Sequence, residues 1–221
     1  MARAPFIDAV PGRWQQAAGW LGLLVVLLAV GNFLHTAYGK YVHLDPASYG
    51  MFWSRRGWLW IHLTGGTLAM VLGALQLITG LRGRGPRLHR WIGRVYFSVI
   101  LIASAGAAGL IATSPAGFEI RNAFAATAMA WLSTALMGYG AIRRRDLQAH
   151  RRWMLRNYLV TLAPVVFRLM IRVPGLMALA TPVLMIPLLL WLSWILPLAA
   201  FEVGRWLVPR RSRLHLQSQA R

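Results

Sequence analysis

The chemistry open to this sequence is narrow: it has six histidines, no cysteine and five carboxylates, so thiolate chemistry is absent and imidazole is the main ligand for a transition metal. Two of the histidines, His89 and His150, open copies of one motif. Leu88 to Tyr96 reads Leu-His-Arg-Trp-Ile-Gly-Arg-Val-Tyr and Ala149 to Tyr158 reads Ala-His-Arg-Arg-Trp-Met-Leu-Arg-Asn-Tyr, so both reduce to His-Arg followed by Trp-x-x-Arg-x-Tyr. The repeat sets two imidazoles at equal depth on parallel helices, as transmembrane cytochromes do when they hold haem b. The same motif carries a second chemistry. Arg90, Arg94, Arg151 and Arg156 can clamp phosphate oxygens while Trp153, Tyr96 and Tyr158 sit at lipid headgroup depth.

Each copy follows an apolar run that ends in a basic loop, Arg82, Arg84 and Arg87 or Arg143, Arg144 and Arg145, and each opens another apolar run. The repeated unit is therefore a helical hairpin with a decorated turn. Of 221 residues, 57% are hydrophobic and 13% charged, and the apolar material gathers into long runs instead of one soluble core. A bilayer core of about 30 Å takes roughly 20 apolar residues per helix. Six runs qualify, near residues 17 to 38, 57 to 81, 92 to 113, 119 to 142, 153 to 173 and 183 to 207. The expected fold is an all-α, polytopic integral membrane protein with six transmembrane helices, in which residues 57–113 and 119–173 are the two copies of the hairpin. A β-barrel would need short segments of alternating polarity, and none is found. The first run is longer than a signal-peptide core and lacks a small-residue cleavage site, so it reads as a retained helix.

The net charge of +19 would suggest nucleic acid in a soluble protein, but its placement follows topology instead. With the N-terminus inside, 18 of the 24 basic residues fall on the cytoplasmic face, and the other face receives Lys40, Arg55, Arg56, Arg121, Arg168 and Arg172. The positive-inside rule then places both termini, with the basic tail 209–221, in the cytoplasm of a cell whose inner membrane holds the chain. The inner arginines are suited to anionic lipid.

Other polar residues are placed by the same helices. His35 lies one turn from Gly31 near the outer end of the first run, and Tyr49, Phe52, Trp53, Trp58 and Trp60 suit an interfacial belt. In the second run His62, Gly66, Ala69, Gly73, Gln76 and Gly80 recur at steps of three and four, a stripe of small and polar residues that packs on other helices or lines a ligand site. When the hairpins are aligned on Gly80 and Gly140, Asn122 falls where His62 sits. In the fifth run His150, Met154, Asn157, Thr161, Pro164 and Arg168 share a face that links a histidine at one boundary to an arginine roughly 27 Å away. Glu202 and Glu119 are the only acids in the expected helices, and Arg94 or Arg156 is the expected partner of Glu202.

His62 with Gly66 and Gln76, the His89-Arg90-x-x-Gly93-Arg94-x-Tyr96 copy, and His150-x-x-Trp153-Met154-x-Arg156-x-Tyr158 followed by Arg168-Leu169 resemble a bacterial family of multi-pass membrane proteins catalogued as a domain of unknown function. The resemblance covers the second to fifth runs, about half the chain, and implies a topology and candidate residues but no reaction. Leu155, Asn157 and Leu159 stand where Ile, Ser and Ala are expected from it. Three readings follow. The first is a membrane protein of unstated activity whose His-Arg clusters contact anionic lipid; it is favoured by the position of His89 and His150 at the water boundary among arginines, where a haem is poorly enclosed. The second is a haem b electron-transfer protein, with His89 and His150 as one ligand pair and His35 and His62 as an outer pair. The third is a small-solute or proton-linked transporter, which the scarcity of intramembrane carboxylates disfavours. No catalytic or nucleotide-binding motif is present, and no extramembrane segment is long enough to fold as a soluble partner domain.

Overall fold

The computed structural model describes residues 13–82 and 85–219. All regular structure among them is helical, as a backbone that must satisfy its own polar groups in hydrocarbon requires. The chain divides into two units, one ending at Val42 and the other beginning at His43. The first holds a single helix, α1 (Arg13–Tyr41). The second holds α2 (Pro46–Tyr49), a 3₁₀ turn (Gly50–Arg55), α3 (Arg56–Arg82), α4 (Pro86–Ala112), α5 (Phe118–Arg143), α6 (Leu147–Thr161), α7 (Ala163–Ile171), a second 3₁₀ turn (Leu176–Ala178) and α8 (Pro182–Gln219). Arg3, Arg84 and Arg221, counted above with the inner basic residues, lie outside the described residues; the tail from Pro209 is helix to Gln219.

Among the described residues four stretches are long and apolar enough to cross a membrane: Pro46–Gly80, Pro86–Ala112, Leu147–Ile171 and Pro182–Leu207. The sequence leads one to expect two more, at α1 and α5, which are helices of 29 and 26 residues but are not among the four. In α5 the apolar content is diluted by Arg121, Asn122, Thr127, Ser133 and Thr134. The fifth expected span is two helices. Pro164 has no N–H to continue the ladder, so the chain breaks at Leu162, whose own N–H donates to the carbonyls of Tyr158 and Leu159.

Local chemistry sets where the helices start. Gly85 takes φ +72°, a left-handed conformation that suits glycine, and Pro86 then opens α4 with its fixed φ. Asp146 caps α6 by accepting from the Ala149 N–H at 2.8 Å. Asp45 caps α2 in the same way, and the Ser48 hydroxyl and N–H that it accepts from hold its carboxyl below the usual carboxylate range.

Packing pairs α3 with α4 and α5 with α6, while α8 lies mainly on α5 and α7. Small residues permit the α3–α4 approach: a Cβ on Gly65 would strike Ala103, and one on Gly106 would strike the backbone of His62. Gly66, part of the expected stripe, has nothing within 4 Å of its Cβ position. At 100° per residue Gly66 lies on the edge of the stripe away from α4, and Gly65 lies on the edge that meets it. The aromatic belt also differs from expectation at Tyr49. This residue is only 1% exposed, because its hydroxyl accepts from Trp60 Nε1 at 2.7 Å and its ring meets Trp53 edge-on. The core joins Ala69, Tyr96, Ile100, Ala103, Trp131, Ala135 and Val160, drawn from α3, α4, α5 and α6.

Candidate functional site

His89 and His150 sit in the first turns of α4 and α6, at the same end of the second unit. Each ring is fixed through Nδ1. His150 Nδ1 lies 2.9 Å from the Gly138 carbonyl of α5, which can only accept, so Nδ1 carries the proton. His89 Nδ1 lies 3.0 Å from the Thr79 hydroxyl of α3. That hydroxyl donates to the Leu75 carbonyl at 2.8 Å, which leaves it an acceptor for His89. In both residues the Nε2 lone pair is then the free one. A neutral imidazole oriented by an Nδ1–H bond to oxygen is the usual form of a metal-bound histidine.

Gly80 lies under the His89 ring, where a Cβ would come to 3.3 Å of its Cε1, and Gln76 Nε2 donates to the His89 carbonyl at 2.6 Å. About two turns deeper, the tyrosines of the two motif copies meet. A Cβ on Gly73 would come to 2.5 Å of the Tyr158 ring and 3.1 Å of the Tyr96 ring. Gly73, Gln76, Leu77, Tyr96, Met154 and Tyr158 line a narrow cleft whose cavity is about 10 Å³, room for about one water. Organic cofactor pockets run to roughly 300–1,000 Å³, so the cleft admits no porphyrin, and a haem held by the two histidines lies outside it.

Beneath the cleft lies a polar network. The Tyr96 hydroxyl donates to Asn157 Oδ1 at 2.6 Å, and Asn157 Nδ2 donates to the Trp131 carbonyl at 2.8 Å and to Thr134 Oγ1 at 3.0 Å. Trp131 Nε1 donates to Thr161 Oγ1 at 2.8 Å, and Thr161 in turn donates to the Asn157 carbonyl. Asn157 is fully buried, so these bonds offset the cost of keeping an amide in hydrocarbon. The network ties α4, α5 and α6 together at the level of the motif tyrosines. Trp131 also meets the His62 ring edge-on, with centroids 6.4 Å apart.

The remaining candidates divide clearly. His62 places Nδ1 3.0 Å from the Ala103 carbonyl and belongs to the α3–α4 seam. His35 is exposed on α1, in the other unit. Asn122, aligned with His62, is exposed on α5. Arg156 is paired: it lies 2.6 Å from Glu202 of α8 and stacks on Trp153, and Arg205 shares the same carboxylate at 2.9 Å. Of the two arginines expected for Glu202, Arg156 takes it. Arg90, Arg94 and Arg151 are exposed, and Arg94 lies over Trp91. Arg168 is half-buried on α7, beyond the break. Pro164, expected on the inward face with Asn157, is exposed.

The described carboxylates serve as caps at Asp45 and Asp146 and as an ion-pair partner at Glu202, while Glu119 is exposed. Among the described residues no three His, Asp or Glu side chains gather as a metal site. A bare ion therefore finds too few ligands there, whereas haem brings four nitrogens of its own and needs only one or two axial ligands. Sequence reasoning did not single out Thr79, Trp131, Thr134 or the small residues Ala103 and Gly65. The first has a signal, being one turn from Gln76 and next in sequence to Gly80, which lies under the His89 ring; the others look like ordinary membrane residues.

A family model described as predicted membrane protein (DUF2306) matches residues 59–203, from the first turn of α3 well into α8. No curated protein and no solved structure matches the chain.

Proposed function

The chain belongs to this family of predicted membrane proteins, a membership that gives it a membrane setting and names no reaction, and within that setting we propose that it is a haem b protein with His89 and His150 as the axial ligands. One observation carries the reading: two histidines from copies of one motif, in the first turns of α4 and α6, each held by an Nδ1–H bond that leaves Nε2 as the free donor atom. When bound, the iron would supply a one-electron redox couple. The protein's part is to fix the rings. Gly138 and Thr79 set the tautomers, and Gly80 leaves room beside His89.

In the same reading the chain crosses the inner membrane six times, with both termini and the basic loops in the cytoplasm, and residues 57–113 and 119–173 are duplicated hairpins. The supports are the distribution of basic residues and the recurrence of the motif. A duplication that kept His89 and His150 but holds Asn122 opposite His62 favours a single inner site. The test is haem content by the pyridine haemochrome method on protein purified after expression with ample haem. One haem per chain is expected; two per chain would contradict the single site, and none would reject the reading.

A further inference from the structure

The two motif copies share Trp-x-x-Arg, yet their arginines meet different fates. In α6 Arg156 lies over the Trp153 ring, 4.6 Å from its centroid, and its charge is met by the Glu202 carboxylate at 2.6 Å. In α4 Arg94 lies over the Trp91 ring, 5.6 Å from its centroid, and among the described residues no carboxylate pairs with it. The first copy thus repeats the cation and its aromatic platform and leaves out the anion. Its surroundings say what could supply one. Trp91 is 65% exposed, Leu88 57% and Val95 45%, so on an embedded helix this face of α4 turns to lipid. Arg87 and Arg90 are exposed within the same turns and add charge, and no described acid lies on the α4 surface.

We propose that Arg94, with Arg90 and the Trp91 ring, binds the phosphate of an anionic lipid headgroup, which stands to Arg94 as the Glu202 carboxylate stands to Arg156. A soluble acidic partner is a poorer match, because Trp91 and Leu88 would then face water. A guanidinium binds phosphate oxygens through paired N–H groups and keeps its charge at any physiological pH. The inference assigns the lipid contact to the α4 copy and withdraws it from the α6 copy, where Arg156 is already paired. It stands apart from the haem reading, since neither histidine takes part.

The test is the relative association of spin-labelled phosphatidylglycerol and phosphatidylcholine with the full chain in phosphatidylcholine vesicles, read as the immobilised fraction of each lipid. Phosphatidylglycerol should be selected over phosphatidylcholine, and Arg94→Gln should lower that selectivity about fivefold, the factor for one basic residue at an anionic surface. Arg94→Lys should retain part of it. Arg156→Gln should leave selectivity unchanged, and it keeps the proposal open to refutation even if Arg94→Gln folds poorly, because a fivefold loss in Arg156→Gln would by itself overturn the assignment. Unchanged selectivity in Arg94→Gln would also overturn it. If millimolar inorganic phosphate abolishes the selectivity, the site takes the free anion and the lipid assignment fails.

Discussion

The Tyr96 hydroxyl donates to Asn157 Oδ1 across 2.6 Å, joining the last residue of the first motif to the residue that precedes Tyr158 in the second. The two copies are thus bonded to each other at the centre of the bundle, and Asn157 passes the connection to α5 through Trp131 and Thr134. Tyr96→Phe removes the one strong donor to Asn157 Oδ1. It should cost about 0.6–1.7 kcal/mol, the range for single interhelical hydrogen bonds in membranes. Asn157→Leu should cost more, since it also strips partners from Trp131 and Thr134. Reversible unfolding in mixed detergent micelles measures both. Additive effects in the double variant would show that the two residues do not interact.

The meeting of the two tyrosines over Gly73 gives a steric prediction. Gly73→Leu should sharply reduce folded yield, because its Cβ alone would overlap the Tyr158 ring. Leu at Ala74 or at Gly66 should be tolerated, Gly66 having open space around its Cβ position. Size-exclusion profiles of the three variants decide the matter, and equal tolerance at Gly73 and Ala74 would show that the α3 seam is loose.

Much of this was legible in the sequence for a physical reason: a bilayer forces long apolar runs and internally bonded helices, so α3, α4, α6 and α8 could be read from composition. The motif copies were legible because His, Arg and Trp are scarce enough for their spacing to stand out. Helix faces were less so. Gly65 and Gly66 are adjacent glycines, and only the side on which α4 lies decides which one is crowded. The break at Leu162 was also hidden, since Pro164 in a membrane helix can kink or break it depending on its neighbours. The ring orientations of His89 and His150 depend on Thr79 and the Gly138 carbonyl, partners 10 and 12 residues away on other helices.

The clasp between α6 and α8 is testable through its shared acid. Glu202→Gln leaves Arg156 over Trp153 without a counter-charge, and with the carboxylate about half exposed the loss should be modest, about 0.5–1 kcal/mol. Thermal unfolding in detergent should show Arg156→Gln and Glu202→Gln to be less than additive together. Full additivity would mean that the ion pair is not formed in solution.

Topology is tested independently of any cofactor. Fusions of alkaline phosphatase after Arg84 or Arg145 should be inactive, and a fusion after Ser114, in the loop between α4 and α5, should be active. Activity from either of the first two would invert the proposed orientation.

The central claim rests on two imidazoles, and the most direct measurement is the dithionite-reduced minus oxidised absorption spectrum of the detergent-purified protein beside His89→Ala, His150→Ala and Arg90→Ala. The account predicts a reducible Soret and α-band in the parent, lost or shifted in each histidine variant and retained in Arg90→Ala. A colourless parent, or a spectrum unchanged by both histidine substitutions, would contradict it.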